Sequence, residues 1–340
     1  MRVVLLTSTN VGTFGETVAN SSGSGPEVIA DYTAYDFEAL WPGREKVTRI
    51  ETALLRRLLG DVPQERLLEI GTGFGRLTPT LRRLSKEYVG VDLDSTGLAR
   101  ARATVDGVSD SSSRWVLANL HHLPFAPGTF SAVVMVRLAH HLPRWEDTTR
   151  QLAELLQPGG RCVVTVFPTP TVGTLAEDVK GTLRDGSGWR WGTFARGENV
   201  HVTDSPHPKY LGSRKGYRSA LERAGLRIVA SFGSGLEELV PGFSSEDWVK
   251  MAPLSESLPF FPMKWYAALR PGPADKALPP LDEVFVCPRC RAGLRGIGGT
   301  EGGPTQCASC RFEVRSREGQ IDLRYLPEGV VRIGPALTSG

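Results

Sequence analysis

A mostly parallel α/β sheet with helices on both faces, followed by a small metal-stapled ribbon, is the fold class this chain predicts. Three observations carry that expectation. Apolar runs alternate with helical patterns from residue 44 to 167, a glycine-rich turn follows the first apolar run, and four of the five cysteines form two C-x-x-C pairs near the carboxyl end. Short strand runs alternating with helices build parallel sheets covered on both faces. Such sheets bind ligands at the carboxyl ends of their strands.

Residues 1–43 show no strong period and read as an amino-terminal cap or lid carrying Tyr32, Tyr35 and Trp41. Val47, Ile50, Leu54 and Leu58 then recur at helical spacing until Gly60, which describes an amphipathic helix with a glycine stop. After Pro63 come a strand at Arg66 to Ile70, a helix at Arg76 to Leu84, a strand at Tyr88 to Asp92 and a helix at Thr96 to Thr104. Strands at Trp115 to Ala118 and Ala132 to Val136, a helix at Thr148 to Gln157 and a strand at Cys162 to Phe167 continue the series. The rhythm breaks over an insertion at 168–213 rich in Gly, Thr and aromatics, among them Trp189, Trp191, Phe194 and Tyr210. It resumes with a helix at Gly216 to Ala224, a strand at Leu226 to Phe232, a second insertion at 236–261 and an apolar segment at Lys264 to Leu269. Long insertions of this kind are usually functional, and both are expected to build part of a ligand site. The α/β unit spans 44–270, the proline-rich stretch 271–283 reads as a stiff linker, 284–326 as a ribbon and 327–340 as a tail.

Composition narrows the partners. Forty Lys and Arg against 37 Asp and Glu give a net charge of +3 over 340 residues, which demands no polyanion. The apolar run Val3 to Leu6 is too short for a signal segment, and no run reaches the ~18 apolar residues of a membrane helix. A cytoplasmic protein with no membrane partner is the expectation. Cys162, alone in a buried strand run, reads as a small core residue.

Leu67-Leu-Glu-Ile-Gly-Thr-Gly-Phe-Gly75 sets a G-x-G-x-G turn after the first core strand, and Asp92 stands at the end of the second, placed for a ribose. A dinucleotide is disfavoured: the fingerprint G-x-G-x-x-G needs glycine where this chain has Arg76, and Glu69 would repel a pyrophosphate. A carboxylate there suits a ligand bearing an ammonium group. S-adenosylmethionine has that group, a ribose, an adenine and no phosphate.

Four motifs recur in order: Leu67 to Gly75; Val89-Gly-Val-Asp-Leu93; Ala118-Asn-Leu-His-His-Leu-Pro-Phe125 with Phe130-Ser-Ala-Val-Val134; and Leu155-Leu-Gln-Pro-Gly-Gly160. Over residues 31 to 167 the chain resembles the class I S-adenosylmethionine-dependent methyltransferases, especially the ubiquinone/menaquinone-biosynthesis branch. The resemblance implies a Rossmann-like seven-stranded sheet. It also implies that Glu69, Gly71 and Gly73 hold the methionine end and Asp92 the ribose, with Thr72, Phe74 and Gly75 among the cofactor-binding residues of the same turn. Leu93, Asn119 and Leu120 would lie at the adenine, Arg137 and Leu138 under the cofactor, and Tyr35 over it. His140 and His141, in Arg137-Leu-Ala-His-His-Leu142, are the candidate general bases for an acceptor that must lose a proton.

Cys287-x2-Cys290 and Cys307-x2-Cys310 carry the spacing of a tetrahedral zinc site, and four thiolates leave no open position, so the zinc is structural. Cys-Pro-x-Cys-x3-Leu, Cys-x2-Cys and Glu318-Gly-Gln-Ile-Asp-Leu323 resemble the zinc-ribbon activator subunits of tRNA and protein methyltransferases. That resemblance implies an intramolecular brace or a homodimer contact. The expected acceptor is a small molecule or peptide. RNA, touched by Arg289, Arg291, Arg295 and Arg311, is the alternative, and a regulatory module that binds the cofactor without methyl transfer is the third reading.

Overall fold

In the computed structural model the described residues are 36–60, 62–105, 112–142, 144–168, 209–236, 244–252, 255, 261–273, 277–297 and 306–328, with short strands at 28–30, 200–202 and 331–333. Tyr32, Tyr35, most of the 168–213 insertion and much of the 236–261 insertion lie outside them.

In chain order the elements are β1 (Val28–Ala30), α1 (Glu45–Leu59), β2 (Gln64–Ile70), α2 (Thr78–Arg83), β3 (Ser85–Asp92), α3 (Ser95–Ala103), β4 (Ser113–Leu117), β5 (Phe130–Met135), α4 (Trp145–Leu155), β6 (Leu156–Val166), β7 (Val200–Val202) and β8 (Lys209–Leu211). They continue with α5 (Arg214–Arg223), β9 (Arg227–Ser234), α6 (Ser245–Met251), β10 (Met263–Leu269), β11 (Arg315–Arg317), β12 (Gln320–Asp322) and β13 (Val331–Ile333).

One nine-stranded sheet orders them β11-β12-β4-β3-β2-β5-β6-β10-β9. Strands β4, β3, β2, β5 and β6 run parallel, and β10 is antiparallel to both β6 and β9. The fold is thus the expected α/β, Rossmann-like sheet. From β2 the chain winds outward through β3 to β4, then returns to β5 on the other side of β2, so the strand order reverses between β2 and β5. A crevice for ligand opens at such a reversal.

Strands buried on both faces read as continuous apolar runs, and β5 obeys this: all six residues are buried. α1 turns Val47, Ile50, Leu54, Leu55, Leu58 and Leu59 inward, together with one acid, Glu51. The two cores, one on each face, are built around Leu68, Val89, Val133 and Val164 and around Leu67, Tyr88, Val134 and Trp265.

The carboxyl-terminal segment joins this sheet. β12 pairs in parallel with β4, Gln320 opposite Trp115 and Asp322 opposite Leu117, and extends a seven-strand set to nine. Val284, Phe285, Leu294, Ile321 and Leu323 share the first core with the strands. The stretch expected as a linker is held too: buried Arg66 donates through Nη2 to the Pro279 carbonyl at 2.7 Å. An edge strand presents unpaired N–H and C=O groups, and β12 covers those of β4.

Candidate active site and metal centre

A cavity of about 610 Å³ opens at the carboxyl ends of β2, β3, β4 and β5, within the ~300–1,000 Å³ usual for small-molecule sites. Its floor is the glycine turn. Gly71 N and Thr72 N both donate to the Val91 carbonyl, at 2.9 and 3.1 Å, and Gly73 N donates to Asp92 Oδ2 at 2.7 Å, so the turn is tied to β3. Gly73 has φ +56° and nothing within 4 Å of where a Cβ would stand, an open backbone position on the cavity wall. Gly75 differs: its φ is +87°, and a Cβ would meet the Ala101 Cα at 2.4 Å. It lets α3 pack against the turn and does not line the cavity, unlike Gly71, Thr72, Gly73 and Phe74. Gly75, expected among the cofactor-binding residues, stands behind the turn and packs against α3.

Glu69 lines the cavity from the end of β2 while only 5 % exposed. Its Oε2 accepts from Thr78 Oγ1 at 2.9 Å and from the Tyr88 hydroxyl. Burial pushes its carboxyl up to about 7 against these two hydrogen bonds, which pull it down. Asp92 accepts from Gly73 N on Oδ2 and from Asp94 N, at 3.0 Å, on Oδ1. Burial raises it as well, with the backbone N–H groups opposing.

Leu93, Asn119 and Leu120 border the same cavity. The Asn119 side chain caps the short turn Leu120–His122 by accepting from His121 N at 3.0 Å, and its Nδ2 donates to the Tyr325 carbonyl at 3.3 Å. The expected adenine-contacting amide is therefore engaged by the protein on both of its atoms. Around it the carboxyl-terminal segment closes in: Gln320 Nε2 donates to Ser95 O at 3.0 Å, Leu323 N to Leu117 O at 2.8 Å, and the Tyr325 ring stands edge-on to His122.

The opposite wall follows β5. Arg137 sits at φ +58°, a left-handed conformation costing a non-glycine residue about 1–3 kcal/mol, which the surroundings must hold. Its N–H donates to Thr165 Oγ1 at 2.6 Å and its Nε to Glu51 Oε1 at 2.8 Å. Leu138 packs over Gly71. His140 and His141 both line the cavity, their rings 3.9 Å apart, with His140 edge-on to Phe167 at 4.5 Å. Tyr35 lies outside the described residues; Phe37 and Trp41 line the cavity from the same segment.

Glu51, Arg76, Thr78 and Tyr88 were absent from the residues expected at the site. Glu51 carried a legible signal, an acid four residues after Val47 on the apolar stripe of α1. Tyr88 had none, because a tyrosine opening a strand reads as core.

The four ribbon cysteines bring their sulfurs within 4.8 Å of one another. Cys287 and Cys310 sulfurs are 3.5 Å apart, and those of Cys290 and Cys307 3.6 Å. A tetrahedral ion with Zn–S bonds of about 2.3 Å sets its sulfurs roughly 3.8 Å apart, so the set fits zinc. The two halves repeat one turn: Arg291 N donates to Cys287 O and Arg311 N to Cys307 O, both at 2.8 Å, with both arginines at positive φ. Arg291 also ties the ribbon to the sheet domain, donating to Leu123 O at 2.7 Å and Phe125 O at 2.8 Å. That spends on backbone carbonyls a guanidinium expected to be available to phosphate.

Residues 68–164 match a family model described as a methyltransferase domain. The chain is 34 % identical over 104 residues to a fatty-acid O-methyltransferase of Mycolicibacterium smegmatis, covering 29 % of this chain and 36 % of the relative. It is 33 % identical over 111 residues to a demethylmenaquinone methyltransferase of Thermus thermophilus, covering 32 % of this chain and 50 % of the relative. The matched stretch thus spans about a third to a half of these relatives. A crystal structure of an S-adenosylmethionine-dependent methyltransferase from Clostridium acetobutylicum superposes with TM-score 0.47 at 12 % identity, covering 69 % of this chain and 98 % of that one. Among the described residues no helix is long and apolar enough to cross a membrane.

Proposed function

We propose that the chain is an S-adenosylmethionine-dependent methyltransferase acting on a small-molecule or peptide acceptor. One observation carries the reading. A single cavity joins Glu69, an acid suited to an ammonium group, a turn open at Gly73, and Asp92, an acid suited to ribose hydroxyls. The donor set fits that cofactor: one carboxylate just before the turn and one at the end of β3, beside Gly73, with aromatic Phe37 on the wall, a face that attracts a cation. When bound, the cofactor supplies a methyl group already activated on a sulfonium.

The chain's own work is then binding and orientation, which supply up to ~7–11 kcal/mol in well-aligned systems. Glu69 and the turn hold the amino-acid end, Asp92 the ribose, and Leu93 and Leu120 pack against the adenine. Leu138 and Arg137 form the floor on the β5 side. Where the acceptor must shed a proton, His140 takes it, standing on the wall between His141 and Phe167. The relatives named above carry the names of a fatty acid and of demethylmenaquinone, which supports a small-molecule acceptor over RNA. The internal bonds of Arg291 support it further. Residues 284–326 act as a structural zinc ribbon that braces the β4 edge.

Calorimetry with S-adenosylhomocysteine tests the reading. The wild type should bind, and Asp92→Ala should weaken binding by roughly 10- to 100-fold, the value of charged hydrogen bonds worth ~1.5–3 kcal/mol. Absence of binding by the wild type would end it. Incubation with methyl-labelled cofactor and fractionated extract then asks whether label enters small molecules, protein or RNA.

A further inference from the structure

The two ends of the chain pair with each other, a contact that the functions assigned above leave unused. β1, near the amino terminus, runs parallel to β13, near the carboxyl terminus, with Val28 opposite Val331, Ile29 opposite Arg332 and Ala30 opposite Ile333. Among the described residues this pair is a sheet of its own, joined to no third strand.

Each strand is tethered to one side of the cavity. Ala30 lies six positions before Asp36, where the cap segment of Asp36, Phe37, Glu38, Leu40 and Trp41 begins to line the cavity. Val331 lies six positions after Tyr325, whose carbonyl takes the Asn119 amide at the cavity rim. Six residue steps reach at most ~20–22 Å at ~3.3–3.6 Å each. The pair therefore stands close to both sides and joins one to the other.

The two tethers differ in firmness. Tyr325 ends a segment fixed to the sheet: β12 pairs with β4, Leu323 N donates to Leu117 O at 2.8 Å, and Leu323 is fully buried. The cap is held more lightly. Its short turn Glu38–Leu40 buries no residue, and Leu40 is 47 % exposed. Its ion pairs, Arg100 with Asp36 and with Glu38, join groups about half exposed to water, and such pairs contribute little. Trp41 adds a stacking contact, its ring centroid 3.8 Å from Arg76 Cζ, and Phe37 an edge contact with His141. A segment with few buried contacts opens locally at low cost, so the strand tied to it decides how often it does.

We propose that β13 is the latch of the cofactor cavity: the tail that follows the ribbon holds β1, and through it the cap, over the bound cofactor. This rests on the cofactor reading above. The ribbon segment is the fixed post and the cap the moving arm. Two strands of three residues are marginal by themselves, and parallel pairing is the weaker kind. The latch thus releases and re-forms without unfolding the sheet, and cofactor enters and leaves while it is open.

The test uses the full chain with Ile29→Pro, with Arg332→Pro and with both together. Each proline removes a backbone N–H and fixes φ at the centre of a three-residue strand, and neither position belongs to the cofactor or metal residues named above. Tritiated S-adenosylmethionine is bound and chased with unlabelled cofactor, and hydrogen exchange of 36–41 is followed without ligand. Each single variant should release label about 10-fold faster than the wild type and speed exchange of 36–41, with β4 and β5 keeping their wild-type protection. The double variant should do no more than one alone, because both break the same pair. Unchanged release, unchanged exchange of 36–41, or effects that add in the double variant overturn the latch while leaving the cofactor reading intact. A wild type that binds no cofactor ends that reading instead, and exchange of 36–41 still decides whether the tail holds the cap.

Discussion

At the scale of single residues, Glu69 is the group whose behaviour the site controls most. In the folded protein it keeps its proton up to about pH 7, against an ordinary value of 4.5. Between those values the folded state binds more protons than the unfolded one. The stability Glu69 contributes is therefore whole below about pH 4.5 and is lost as pH rises through about 7. At ~1.36 kcal/mol per unit this amounts to at most about 3 kcal/mol. Thermal midpoints measured from pH 4 to 8 should fall for the wild type relative to Glu69→Gln, which has no proton to lose. Parallel curves would show that Glu69 does not titrate in this range. A cationic ligand reverses the preference: binding an ammonium releases the proton, so cofactor affinity should rise as pH passes about 7. The residue type and spacing pointed to Glu69, but not to its pKa. That depends on Tyr88 and Thr78, which reach it across β3 and α2, a proximity no local pattern reports. The same holds for Asn119, whose partner Tyr325 is 206 positions away.

At the scale of elements, the alternating series was legible because strands covered on both faces must be continuously apolar and the helices between them amphipathic. Helix ends moved by one to three residues: α4 begins at Trp145, the turn after Gly75 delays α2 to Thr78, and Pro79 stands at its start, where its missing N–H costs nothing. The partner of β4 was not legible. β12 is three residues long, and its pairing depends on the ribbon delivering it to the sheet edge. Arg291 is the pin of that delivery. Replacing it by Met keeps the stem and removes both bonds to Leu123 O and Phe125 O. Arg291 is exposed, so each of the two bonds contributes nearer the ~1 kcal/mol of an ordinary hydrogen bond than the ~1.5–3 kcal/mol of a buried charged one, and about 2 kcal/mol of stability should be lost in urea titration. A variant within 0.5 kcal/mol of wild type, the ~±0.5 kcal/mol scatter of surface changes, would mean the ribbon is held by its apolar contacts alone.

At the scale of the molecule, the ribbon and the cavity are ends of one mechanical chain. The four sulfurs gather at one point of the ribbon, Arg291 ties it to Leu123 and Phe125, and the segment after Arg317 runs up the β4 edge to the cavity rim. There Arg102 donates to Glu318 O at 2.6 Å, Gln320 to Ser95 O and Asn119 to Tyr325 O. With the proposed zinc bound, a module this small would draw its folding free energy from the metal, ~10–16 kcal/mol in comparable peptides. Chelation should therefore free 284–325 as a unit and expose β4. Hydrogen exchange followed by mass spectrometry should accelerate in 113–119 and 93–97. β9 and β10, at the far edge of the sheet, should keep their protection. Cys307→Ser should reproduce the pattern without chelator, because three thiolates hold the ion more weakly than four. Acceleration confined to 287–314 would show that β12 stays on β4 without the metal, and the ribbon would then be an appendage of the sheet with no hold on the cofactor rim.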